Sequence, residues 1–585
     1  MHADIQTKLK DILADDRGKR ALHAAVPQLR DAPIDDIALD LTIGAILHYA
    51  NLAESDVADF FASIAEIDVP GPPDEPDIEP DPAYEGAEVP LSSARLRAPA
   101  ETSQHGTFEI LIDGPSHGNP FVDVDLWADF HSDSGLDVRV GGFYDGSGRY
   151  VIRFLPSETG TWEYRIGSTA RSMDDLAGTV EVVPSARKGP VHVDGAHFRY
   201  ADGSPFTPFG TTVYAWTHQD AERETATLET LRATSFNKVR MCVFPKHYDF
   251  NHEDPPRMPF EELPDGGWDT TRFQVEFFQH LEERIKDLGD LGIQADVILF
   301  HPYDRWGFQE MSAAADDRYV RYVVRRLSGL PNVWWSLANE YDFMWAKRVA
   351  DWERIGRLVA REDPVHHPLS IHNGPQIYDF DSSWITHCSL QKTDATSPIG
   401  RIDGWRARWA KPIVIDESGY EGDIVAEWGS LSAEEVVRRF WQGTVRGVYL
   451  THGETYLNAE SKLWWAAGGE LVGGSPSRLA FLAELVGQSP SGRWEPLPGY
   501  SHIKGAGVPG EYEVHYFDDF QPRDFAVAWP EGSRAQVDLI DPWEMTITPV
   551  EGVFEGPFTV EVPGSAGRAL RIRRLPSVSA PSAEQ

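Results

Sequence analysis

Apolar and polar positions alternate in different rhythms along this chain. Between residues 4 and 67 the apolar residues recur at helical spacing. Ile5, Leu9, Ile12 and Leu13 share one face, then Leu22, Val26 and Leu29, then Ile43, Ile46, Leu47 and Tyr49. This predicts a helical module over 1–69. PGPPDEPDIEPDPAYEGAEVP follows, too rich in proline and acid to sustain helix or sheet, and 70–100 reads as an extended linker. From 101 to 187 the rhythm shortens to alternating runs such as FEILIDG and VDVDLWADF, punctuated by DG, SG and ETG, which predicts an immunoglobulin-like β-sandwich.

From 188 to 490 strand-like runs alternate with amphipathic helical ones. The strand candidates are 206–216, 236–245, 293–300, 332–340, 367–373, 385–391, 411–419 and 447–456. Eight βα units in about 300 residues fit a (β/α)8 TIM barrel, with its active site at the carboxyl ends of the strands. An open doubly wound sheet is the alternative, but no GxGxxG or GxxxxGK[ST] follows a strand. Residues 491–575 return to short alternating runs and predict a second, smaller β-sandwich; 576–585 read as a disordered tail.

The fold class expected is therefore multidomain, a central TIM barrel flanked by a helical module, one sandwich before it and one after. The length of 585 residues agrees, since one core seldom serves so long a chain. Hydrophobic residues at 41% and charged residues at 25% are ordinary for globular domains. The net charge of −39 repels phosphates and anionic lipid, so neither a nucleic acid nor a membrane is an expected partner. The first residues lack the apolar core of a secretion signal, and a cytoplasmic location is expected. Cys242 and Cys388 stand alone in apolar runs and read as buried thiols. No cofactor and no metal is expected.

Against this frame "WWSLANEYDF" at 334–343 is informative, because a bulky apolar strand ends on Asn339-Glu340. Glu417 in "PIVIDESGY" ends the seventh strand, and 417 − 340 = 77 residues is roughly three βα units. A barrel would point both carboxylates into one mouth. Two facing carboxylates are the minimum for glycoside hydrolysis, one protonating the departing oxygen and the other attacking the anomeric carbon; a gap of about 5 to 5.5 Å gives retention. Asp416 is expected to be structural, since alternation turns it to the opposite face. His301, Asp304 and Trp306 after the third strand, and His372, Gln391, His452 and Glu454 at strands five, six and eight, are candidates for binding sugar or for holding loops. Trp464, beside Trp465, is either a stacking platform or helix packing.

Asn339-Glu340 after strand four and Glu417 after strand seven resemble the clan A retaining glycoside hydrolases. The sandwich text "GNPF", "GGFYDGSGRY" and "VIRFLPSETGTW", the barrel opening "YADGSPFTPFGTTVYAWTH" and the terminal sandwich are similar to the apiosidase-like branch of that clan. The resemblance implies Glu340 as acid/base, Glu417 as nucleophile, Arg240 in "FNKVR" as electrostatic support for the nucleophile, and Asn339 on the sugar 2-hydroxyl. The clan's usual His-x-Tyr near strand six is replaced here by His387 and Gln391. The function expected is a retaining exo-glycosidase acting on a small carbohydrate, with homo-oligomerisation left open. The alternatives are a metal-dependent barrel hydrolase using His301, His372, His452 and Glu454, and a non-catalytic carbohydrate-binding protein.

Overall fold

A computed structural model describes residues 2–576 apart from 5–6, 31–38, 40–41, 51, 53, 70–77, 249, 265, 393–400, 459, 461 and 500–501. Part of the linker and all but the first residue of the tail lie outside the described residues. The chain forms two compact units. One comprises Met1–His192, Thr217–Asp220 and Arg240–Gln391, the other Val193–Trp216, Ala221–Val239 and Lys392–Gln585. The run 188–490 is thus shared between them.

The first unit opens with the helices Leu9–Ala14, Asp16–Ala25, Ile43–Tyr49 and Glu54–Ile64. Their apolar faces, among them Leu9, Ile12, Leu22, Val26, Ile43 and Leu47, meet Phe60 and Ile64 in one buried cluster. Asp15 caps the second helix, its carboxylate accepting the N–H groups of Arg17 and Gly18. Next come eight strands between Arg95 and Val183. One of them, Asp137–Tyr144, pairs through Trp127↔Gly141 with Leu126–Ser132 and then, from Gly142, with Arg149–Phe154. A strand that changes neighbours midway turns the corner between two sheets. The enclosed core holds Phe108, Ile110, Phe130, Tyr150, Ile152 and Trp162.

The same unit carries parallel strands alternating with long helices. Gln294–Phe300 pairs with Val333–Ala338 (Ala295↔Val333), which pairs with Leu369–Ser370 (Trp335↔Leu369). A parallel bridge, His372↔Ser389, leads on to Cys388–Gln391. Val275–Asp290, Ala313–Leu327 and Val349–Glu362 are the intervening helices. Gln294–Phe300 and Val333–Ala338 are buried at every position, as parallel strands covered on both faces must be. Helix Ala313–Leu327 starts where the Ser312 hydroxyl accepts the Ala315 N–H.

In the second unit the strand Gly210–Thr212, first of the βα series, pairs in parallel with Tyr449–His452, the eighth, and the eighth pairs with Ile413–Glu417, the seventh. First beside last is the closing neighbour pair of a barrel-like sheet and does not arise in an open doubly wound one. Antiparallel strands follow, Lys504–Val508, Tyr512–Tyr516, Ala569–Arg574 and Arg534–Asp541 in that spatial order, over a core that includes Trp529, Val537 and Ile572. Among the described residues no helix is long and apolar enough to cross a membrane.

Candidate active site

Strand Val333–Ala338 delivers Asn339 and Glu340 at its carboxyl end, and the N–H of Asn339 bonds to the carbonyl of Phe300 at 2.9 Å on the neighbouring strand. Glu340 stops the ladder with φ 50° and ψ 59°, the left-handed region that glutamate seldom adopts. Its side chain is buried among donors. Asn339 Nδ2 donates to Oε2 at 3.1 Å, Gln391 Nε2 to Oε1 at 3.1 Å, and the Tyr303 hydroxyl to Oε2. Behind Asn339 the fully buried Arg240 reaches its Oδ1 at 3.4 Å and stands 3.7 Å from the carboxylate of Asp296. Asp342 faces away, accepting the N–H groups of Gly374 and Gln376, and burial pushes its carboxyl up to about 6.

His301, just beyond strand three, accepts the Tyr303 N–H at Nδ1 and so carries its proton on Nε2, which meets the Phe244 carbonyl at 3.1 Å. Burial, with the Lys246 ammonium nearby, pushes its pKa down to about 3, so the ring is neutral. His372 turns Nδ1 to the Ser389 hydroxyl at 3.3 Å. Asp304 accepts the N–H groups of Trp306, Gly307 and Gln309, closing its own turn, and Trp306 is half-buried on that turn. Sequence reasoning singled out His301, Asp304 and Trp306 and passed over Tyr303, the member of "HPYDRW" that reaches Glu340.

In the second unit Glu417 ends its strand, 5% exposed, and accepts a hydrogen bond at Oε1 from the hydroxyl of the fully buried Tyr214. The backbone N–H of Tyr214 bonds to the Trp465 carbonyl at 3.0 Å and the two rings meet edge to face. Asp416 is a structural residue as expected. Fully buried, it holds Lys238 Nζ at 2.9 Å and the Thr451 hydroxyl at 2.7 Å.

Two candidates have other work. Trp464 is buried with its indole N–H on the Thr211 hydroxyl at 3.0 Å, a bond that ties it to the first strand. Glu454 accepts the N–H groups of Val472 and Gly473, both at 2.8 Å, while Glu421 beside it accepts those of Gly474 and Ser475. Two buried carboxylates thus hold four successive backbone amides. Burial first, then the Glu421 charge, pushes Glu454 up to about 7. One ring nitrogen of His452 and one oxygen from each of these glutamates lie within 4.8 Å of one another, a grouping that could hold a metal ion. Of the four ligands expected for a metal-dependent hydrolase, this cluster contains His452 and Glu454; His301 and His372 are hydrogen-bonded elsewhere.

Residues 192–470 match the apiosidase-like catalytic domain, residues 101–169 a domain of unknown function (DUF5060) and residues 501–573 another (DUF5605). No curated protein matches the chain. A crystal structure of a glycoside hydrolase candidate from Bacteroides vulgatus is 35% identical, with TM-score 0.77, over 82% of this chain and all of that one. A family 5 glycoside hydrolase from Bacteroides vulgatus (15% identity, TM-score 0.51, 66% and 93% coverage) and a further glycoside hydrolase (15%, 0.50, 66% and 97%) share the fold. The chain belongs to the glycoside hydrolases. Its catalytic domain is apiosidase-like, and the protein is a glycosidase.

Proposed function

We propose that the protein is a retaining, exo-acting glycosidase that cleaves small glycosides with Glu340 as acid/base and Glu417 as nucleophile. The observation that carries this reading is the pair of strand-end glutamates, each buried and each gripped by a tyrosine hydroxyl, within an apiosidase-like domain. In the first step Glu417 attacks the anomeric carbon as the glycosidic C–O bond breaks, and the proton of Glu340 passes to the leaving oxygen. In the second, ionised Glu340 takes a proton from water, whose oxygen displaces Glu417 and restores the original configuration. Asn339, held on one side by Arg240, is suited to the sugar 2-hydroxyl.

Azide rescue tests the assignment. Glu417→Ala should lose turnover on an aryl glycoside, and azide should restore part of it, yielding a glycosyl azide of inverted configuration. Wild-type activity in this variant would remove Glu417 from the mechanism. Exo action is tested separately on a long glycan, where products of many lengths from the start would contradict it.

A further inference from the structure

Tyr303 stands between Glu340 and a buried cation. Its hydroxyl meets Glu340 Oε2, while the Lys246 ammonium, 2% exposed, lies 4.4 Å from the centre of its ring and 5.2 Å from that of Tyr248. The His247 N–H bonds to the Tyr303 carbonyl at 2.8 Å, which ties the segment after strand two to the one after strand three at this contact. Tyr303 and Tyr248 also meet edge to face at 4.9 Å.

We infer that Tyr303 and Lys246 are positioning residues that set the proton affinity of Glu340, with Lys246 acting through the tyrosine; this rests on the acid/base reading of Glu340. The physical chain is short. An ammonium over a phenol ring draws electron density from the hydroxyl oxygen into the ring and makes the O–H a stronger donor. A stronger donor to a carboxylate favours its ionised form. Glu340 has to give up its proton in the first step and remain ionised until water arrives, and a tyrosine that grips the carboxylate stabilises that second state. Other charges of this unit near Glu340 are already committed. Arg240 lies behind Asn339 and against Asp296, Asp342 holds two backbone amides, and His301 is neutral.

The test is the pH profile of kcat/KM on an aryl glycoside, measured with the full chain. Tyr303→Phe removes a donor to the carboxylate, so the alkaline limb should move to higher pH by about one unit. Lys246→Met should move it in the same direction by less. The double variant should match Tyr303→Phe alone, since the lysine has nothing left to act through. Replacing Tyr303 by 3,5-difluorotyrosine keeps the shape but strengthens the donor, and should move the limb to lower pH; this reading stands even if the phenylalanine variant folds poorly. A limb unmoved by the fluorinated residue, or shifts that add in the double variant, would overturn the inference. Glu340→Gln reports on the parent reading independently. Loss of the alkaline limb there supports Glu340 as acid whatever Tyr303 does, and a surviving limb removes both.

Discussion

Glu340 is held in a backbone conformation that costs a side-chain-bearing residue about 1 kcal/mol or more. Such strain persists where the surroundings fix it, and here it turns the carboxylate off the strand toward Tyr303, Asn339 and Gln391. Glu340→Gly and Glu340→Ala should both be inactive on substrates with poor leaving groups, but the glycine variant should be the more stable by about 1 kcal/mol in denaturant unfolding. Equal stabilities would mean that the strain is relieved elsewhere. Glu340→Gln should slow unactivated glycosides far more than activated aryl ones, because only the former need a proton on the leaving oxygen. At this scale the strand-end placement of the two glutamates and Asn339 was legible in the sequence, since a bulky apolar run stops at each of them, while their roles came from the family resemblance. The sequence could not make Tyr303 and Tyr214 readable, because both lie in aromatic-rich text where one ring in several reaches the carboxylate. Nor could it separate Asp304 and Glu454, whose oxygens are occupied by backbone amides, from groups free for a sugar.

The strands themselves are shorter than the apolar runs that announce them. The run 367–373 yields only Leu369–Ser370, and 206–216 only Gly210–Thr212 plus Pro205–Phe206. Apolar text continues past the ladder because the turns at the strand ends are buried too, as His372 and Tyr214 are. Inside the strand layer Lys238 and Asp416 form an ion pair with no exposure on either side chain. Lys238→Met should cost about 3–5 kcal/mol in an unfolding titration, since it leaves Asp416 buried without the ammonium that balances its charge, beside the Thr451 hydroxyl. A loss below about 1 kcal/mol would show that Asp416 is protonated. The Glu421–Glu454 clasp gives a pH effect. Glu454 is raised from 4.5 to about 7 in the folded chain, so the fold binds its proton more tightly than the unfolded chain does. That contribution is complete below about pH 4.5 and is lost as pH rises through 7. Melting temperature should fall between pH 5 and 8, and Glu454→Gln should flatten the fall; parallel curves would place the proton elsewhere.

Across the molecule, helices, then antiparallel strands, then parallel strands alternating with helices, then antiparallel strands again succeed one another in chain order, whereas the two compact units are each assembled from separate stretches of the chain. One unit takes the helical module, the first sandwich and strands from the middle of the barrel series, and the other takes the rest. Sequence periodicity sees elements one at a time and cannot see which distant strands share contacts. Within the first unit, sandwich and helices are joined by buried charge. Arg153, on the sandwich strand Arg149–Phe154, holds Glu282 at 2.8 Å and the Arg326 carbonyl, and Arg326 holds Asp145 at 2.9 Å. Thr107 adds a bond to the Gly329 carbonyl at 2.8 Å. Arg153→Met should therefore destabilise sandwich and helices together. Calorimetry should show their transition moving as one, and a separate early sandwich transition would contradict the coupling.

The strand Asp137–Tyr144 changes sheets at a glycine pair, and there Gly141 leaves room for the side chain of Arg325: a Cβ at that position would lie 2.4 Å from its Nε. Arg325 uses the gap to reach both Asp125 and Glu362. For anyone redesigning the enzyme, this makes the sandwich a fitted part and not an interchangeable one. Cutting between residues 187 and 188 to obtain a smaller catalyst would strand Arg325, Arg326 and Glu282 without their counterparts, and grafting a foreign sandwich would fail wherever its equivalent of Gly141 carries a side chain. The smallest piece worth expressing for catalysis begins before Arg95.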